Sequence, residues 1–152
     1  MIVNRTDINW YEYLSKFGMV EEKKKGRRKS QNKHRTLNVY AAFDIETSVL
    51  WLNNDHSLYD CHGFMYVWQF QIEEYTVIGR TWPEFFLFLN DLRSAIERIR
   101  DDNNLSLNPF LVVWVHNLQY EWTWLSGLYP FTNEECFFRD VRKPLYCRMF
   151  DT

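Results

Sequence analysis

The stretch "NVYAAFDIETSVLW" (38–51) governs how the rest of the chain is read. Its residues alternate with period two, which makes it a strand with Val39, Ala41, Phe43 and Ile45 on one face and Tyr40, Ala42, Asp44 and Glu46 on the other. Side chains two apart on a strand share a face, so Asp44 and Glu46 present two carboxylates to one point in space. Two hard oxygen donors side by side suit Mg²⁺ or Mn²⁺. A pair of such ions about 3.5–4 Å apart can activate a water and stabilise the leaving oxygen of a phosphodiester. An ordinary solvent-facing strand edge carries the same D-x-E pattern, so a second motif has to decide between the two.

Downstream, "GFMYVWQFQI" (63–72) and "YTVIGR" (75–80) read as two more strands, close enough to form a hairpin across Glu73 and Glu74. "TWPE" (81–84) opens a helix: Thr81 caps it, Glu84 follows three residues later, and Pro83 sits in the first turn, where its missing N–H costs nothing. Phe85, Phe88, Leu89, Leu92, Ile96 and Ile99 form the buried stripe of this helix, and "DDNN" (101–104) ends it. "PFLVVWVHN" (109–117) reads as a fully buried strand and "YEWTWLSGL" (120–128) as a short helix stopped at Gly127. "FFRDVRKPLYCRMF" (137–150) reads as one or two strands broken at Pro144. Strand, strand, strand, helix, strand, helix is the order of an α/β domain with a mixed sheet.

Upstream, Ile8, Tyr11, Leu14 and Phe17 recur at helical spacing within residues 1–20, with Gly18 as a stop. The tract "KKKGRRKSQNKHR" (23–35) holds eight Lys or Arg and no acid; removing those eight charges from the total of −2 leaves −10 for the remainder. The division this suggests is an N-terminal helix and basic arm or linker over 1–36 and a globular domain over 37–152. The arm either solvates the chain or gives salt-sensitive contacts to a DNA backbone through Lys23, Lys24, Lys25, Arg27, Arg28 and Lys29.

At 152 residues and 46% hydrophobic content the chain suits one compact unit. Cys61, Cys136 and Cys147 are odd in number and lack C-x-x-C spacing, so the sequence indicates neither a disulfide framework nor a zinc site, and a reducing cytoplasm fits. The start, "MIVNRTDINW", lacks the apolar core of an export signal, and "FLVVWV" (110–115) is too short to span a bilayer; no membrane partner is expected. Aromatic residues make up 18% of the chain. By spacing, Trp68, Phe70, Phe85, Phe86, Phe88, Trp114, Trp122 and Trp124 are assigned to the core.

The second motif is "VWVHNLQYEW" (113–122). If the chain turns into a helix after the strand, positions i and i+4 share a face, so Asn117, Tyr120 and Glu121 cluster near the strand's end. There an acid can join a metal site, an amide can hold a phosphate or sugar oxygen, and a ring can stack on an unpaired base. A polar cap on a buried strand is the plainer alternative.

Taken together, "DIET" on the first core strand and "HNLQYE" after the fourth, with a helix between, resemble the first two exonuclease motifs of family B DNA polymerases, most nearly the protein-primed polymerases of phages. The likeness covers roughly residues 38–150. It implies an RNase H-like (DnaQ-like) mixed sheet with flanking helices and a Mg²⁺-dependent (or Mn²⁺-dependent) 3′→5′ proofreading exonuclease in DNA replication. Carried over by position, Asp44, Glu46 and Glu121 match the catalytic, metal-binding carboxylates that hold two ions. Thr47, His116, Asn117 and Tyr120 match positions contacting the single-stranded DNA 3′ end. The implied setting is the cytoplasm of a bacterial host, for a phage-encoded protein.

Two positions depart from the family pattern. Glu121 stands where much of the family has Asp, and the third motif, Y-x-x-x-D on a later helix, has no match downstream of the second: Tyr146 to Asp151 is one residue too long. Polymerase motifs are absent as well. The expectation is therefore the N-terminal part of a polymerase, truncated at the C-terminus, whose partner is the remainder of the enzyme from the same gene or a separate chain. The alternative is a weak or inactive polymerase-derived module that binds single-stranded DNA or protein. A nuclease acting on RNA or on internal bonds is a third.

Overall fold

The computed structural model describes residues 1–21, 35–52, 61–140 and 143–150. At its centre is strand β4 (Ala41–Trp51), in a five-stranded mixed sheet ordered β1-β6-β5-β4-β7. β5 (Cys61–Ile72) pairs with it antiparallel, β6 (Tyr75–Gly79) pairs antiparallel with β5, and β1 (Ile2–Val3) adds a parallel edge. On the other side β7 (Val113–Val115) runs parallel to β4, aligning Ala41 with Val113 and Phe43 with Val115. Two further antiparallel pairs lie outside this sheet: β2 (Met19–Glu21) with β3 (Arg35–Leu37), and β8 (Cys136–Asp140) with β9 (Lys143–Cys147).

The alternation of β4 is realised as expected: Ala41, Phe43 and Ile45 are buried, opposite the equally buried Ile72, Phe70 and Trp68 of β5. Helix α2 (Trp82–Asp102) lies across this face. It begins with the capping box read from the sequence, in which the Glu84 backbone N–H donates to Thr81 Oγ1 at 3.3 Å and the Thr81 N–H donates to Glu84 Oε2 at 3.1 Å. Its buried side chains are Phe85, Phe88, Leu92, Ala95 and Ile99, whereas Leu89 and Ile96 are only half-buried at the margin. Phe85 stacks on Phe43 with ring centroids 4.8 Å apart, and Phe88 meets both Phe70 and Trp68. Burying one such ring stabilises the fold by roughly 1.5–3 kcal/mol, so this aromatic layer is the main cohesive element.

The N-terminal segment joins the same core. Helix α1 (Trp10–Leu14) is shorter than the periodicity predicts; a 3-10 turn over Ser15–Phe17 follows, and Gly18, at φ 66° and ψ −170°, a backbone conformation that favours glycine, ends it. Trp10 and Leu14 are buried, and the Trp10 ring meets Phe88 edge-on at 5.4 Å. The β5–β6 hairpin turns at Glu73 and Glu74, with Glu73 at φ 49°. Its backbone N–H donates to the Tyr40 carbonyl and its carboxylate accepts from the Tyr40 N–H at 2.6 Å, while Tyr13 Oη donates to Glu74 Oε2 at 2.6 Å.

Three expectations need correction. The stretch 109–117 contains a three-residue edge strand, not a fully buried one: among the described residues β7 has β4 as its single neighbour, and Trp114, assigned to the core by spacing, is 64% exposed. Pro144 does not break the tail; it lies inside β9 opposite Phe138, where the ladder register shifts and a missing N–H is tolerated. The short helix α3 is Leu118–Leu125, and Gly127 falls in the turn after it. Among the described residues no helix is long and apolar enough to cross a membrane.

Candidate functional site

β7 ends at Val115 and the chain turns at His116 and Asn117 into α3, which brings that helix beside the C-terminal half of β4. Asn117 is the N-cap residue and accepts through its backbone carbonyl from the N–H groups of Tyr120 (2.8 Å) and Glu121 (3.3 Å); its exposed side chain makes no capping bond. Leu125, one turn after Glu121, is anchored in the core and fixes the rotation of the helix. Glu121 therefore faces inward.

Glu121 is 2% exposed, and its Oε2 has no hydrogen-bond partner. Burial pushes its carboxyl above the usual range, the neighbouring Asp44 carboxylate pushes in the same direction, and its own backbone N–H and His116 pull it back. Two neighbouring carboxylates repel when both are ionised, and a proton or a cation relieves that repulsion.

Asp44 is half-buried on β4, and its Oδ2 accepts from Gln69 Nε2 at 3.1 Å, the two residues being direct cross-strand partners. Glu46, two positions further along the same strand face, is exposed. Immediately after it the β4–β5 register shifts between Glu46 and Thr47, with the extra, unpaired residue, Tyr66, on the facing strand β5. Thr47 Oγ1 is hydrogen-bonded to Tyr120 Oη, linking the "DIET" and "HNLQYE" segments across 73 positions. Tyr120 is 39% exposed.

The fold thus brings Asp44, Thr47, Tyr120 and Glu121 together, with Glu46, His116 and Asn117 exposed on the adjoining turns and strand. Among the described residues no three His, Cys, Asp or Glu side chains converge closely enough to hold a metal ion jointly. Two residues escaped the sequence reading. Gln69 became visible only through its register with Asp44, and Trp114, paired with Ala42, presents an exposed ring on the strand face that carries Asp44. Lys23, Lys24, Lys25, Arg27, Arg28 and Lys29 lie outside the described residues; the flanks of that segment, Glu21 and Arg35, are cross-strand partners joined by an ion pair of 3.6 Å.

Compared with protein-family models, with curated proteins and with solved structures, the chain finds no match.

Proposed function

We propose that this chain is the N-terminal 3′→5′ exonuclease (proofreading) region of a phage-type family B DNA polymerase, with an RNase H-like fold, hydrolysing the terminal phosphodiester of single-stranded DNA. One observation carries the reading: Glu121 of the second motif is buried against Asp44 of the first with a carboxylate oxygen left unpartnered. An all-oxygen donor set with excess negative charge fits a hard divalent cation. Asp44 and Glu121, with Glu46 on the same strand face as Asp44, would hold Mg²⁺ or Mn²⁺, which would supply an activated water and charge neutralisation at the leaving oxygen. Tyr120 offers its ring to the terminal base while its hydroxyl and Thr47 fix the ring's position. In this reading Asn117 and His116, exposed at the start of α3, donate to the sugar and phosphate of the frayed strand. No side-chain nucleophile is needed.

A second reading is favoured by the lack of a converged three-ligand cluster among the described residues and of a Y-x-x-x-D motif downstream of Glu121 in the sequence. In it the chain keeps the single-strand cradle but cuts little until a further polypeptide completes the site. A time course of 5′-labelled single-stranded DNA with Mg²⁺, run beside Asp44→Ala, separates the two. A ladder shortening from the 3′ end and lost in the variant is the expected result. Cleavage undiminished in Asp44→Ala would end the exonuclease assignment, and binding without cleavage would favour the second reading.

A further inference from the structure

Cys136 and Cys147 stand directly opposite each other on β8 and β9. One residue outside that pair, the backbone N–H of Arg148 donates to the Glu135 carbonyl at 2.7 Å. In an antiparallel ladder, a bond between the flanking residues marks the enclosed pair as the non-hydrogen-bonded kind, in which Cα atoms approach to about 4.5 Å and side chains come closest. That spacing lies inside the range of about 4.4–6.8 Å that a disulfide spans. Both residues are free thiols and half-buried. Burial raises both, with Glu135 adding to the effect at Cys136, and Cys147 is pushed up to about 11 with Cys136 as its second cause, so the two groups sense each other.

We propose that Cys136 and Cys147 form a redox modification site, at which a small-molecule disulfide such as oxidised glutathione converts them into an intrachain disulfide that staples the β8–β9 hairpin. One cysteine thiolate attacks the small disulfide, forming a mixed disulfide and releasing one small thiol. The other cysteine thiolate then attacks the protein-bound sulfur and expels the second small thiol. Two protein S–H groups are oxidised and one small disulfide is reduced to two thiols, so atoms and electrons balance. The hairpin abuts α3: the Phe138 ring meets Trp122 edge-on at 5.4 Å. The staple therefore fastens the element that lies against the helix carrying Tyr120 and Glu121.

The test treats the full chain at pH 8 with oxidised glutathione, alkylates the remaining thiols and maps the tryptic peptides, since Arg139 and Arg142 lie between the two cysteines and cleavage separates them. The expected product is lighter by two hydrogen atoms, contains linked Cys136 and Cys147 peptides with Cys61 alkylated, and melts about 5 °C or more higher than the reduced chain. Cys147→Ser, and independently Cys136→Ser, should instead accumulate a glutathione adduct on the remaining cysteine of the pair. Stable glutathione adducts on the unsubstituted chain without a cross-link, a disulfide involving Cys61, or a cross-link that leaves the melting temperature unchanged would each overturn the proposal.

Discussion

Replacing Glu121 by Gln exchanges one buried carboxylate oxygen for an NH₂ group at nearly constant size. In the native protein that side chain is 2% exposed, has one oxygen without a partner and faces the carboxylate of Asp44. A buried acceptor left unsatisfied costs about 1–3 kcal/mol, and the amide gives Asp44 a donor in place of a like charge. Allowing for imperfect satisfaction of the new NH₂ group, Glu121→Gln should gain about 1–2 kcal/mol at pH 7 without divalent cations, or roughly 2–8 °C in melting temperature. The pH dependence identifies the cause. The carboxyl of Glu121 is raised in the folded state, so between its unfolded and folded pKa values the folded chain binds the extra proton, and native stability falls as pH rises through that window. The advantage of Gln should be full above the folded value and vanish below about pH 4, where unfolded and folded Glu are both protonated. Thermal melts in EDTA from pH 4 to 8 read this difference, with the other acids common to both proteins cancelling. Adding Mg²⁺ should stabilise the native chain more than the variant. A variant that is less stable at pH 7 in EDTA, or a difference independent of pH, would refute the reasoning.

Tyr120→Ala should weaken single-stranded DNA binding by roughly 5- to 150-fold in a fluorescence titration, the worth of about 1–3 kcal/mol per stacked base, whereas Tyr120→Phe keeps the ring and should lose far less. Equal losses in both variants would place the contribution in the hydroxyl and its bond to Thr47. Gly79→Ala should destabilise the chain by about 1–3 kcal/mol in urea, because an added Cβ overlaps the Trp68 indole. That ring is 1% exposed and held by its Nε1 donating to the Thr81 carbonyl at 2.9 Å, so it has nowhere to move. Thr81→Ala removes one half of the capping box and should cost about 1 kcal/mol, with a melting temperature lower by roughly 2–4 °C.

The parts of this fold that could be read in advance are those whose signals are local. The alternation of β4 and the Thr81/Glu84 box of α2 each lie within a few residues, and both appear as the sequence implies. The Glu73–Glu74 turn belongs to the same class. What could not be read depends on neighbours distant in sequence. An apolar run such as 110–115 looks the same whether it has one strand beside it or two, and only the sheet order reveals that Trp114 faces outward. The β2–β3 pairing joins residues on either side of a polar, aperiodic tract, where no periodicity points to a strand. Gln69 was illegible for the same reason: a glutamine in a strand becomes a partner of Asp44 only once the register is known. The candidate site itself was legible as two motifs, but not the burial that turns Glu121 from a surface acid into an unpartnered one.

That burial follows from the helix, and it conflicts with what the helix needs for packing. Leu125 and Glu121 are four apart and share the inward face of α3, so anchoring Leu125 in the core forces the acid inward as well. Packing alone would favour an apolar side chain at position 121. The cost of keeping a carboxylate there, about 1–3 kcal/mol, is a sizeable share of the roughly 5–15 kcal/mol that separates a folded domain from its unfolded chain. Local departures of this kind, where one residue contradicts the pattern set by all its neighbours, concentrate at sites that bind or react. Asp44 shows the complementary arrangement: its strand neighbours Phe43 and Ile45 are fixed in the aromatic layer, so the strand that holds it is rigid while its own side chain points away from the core. The strand acid and the helix acid are thus each positioned by a different part of one core. In the exonuclease reading proposed above, a cation bound between them relieves their repulsion.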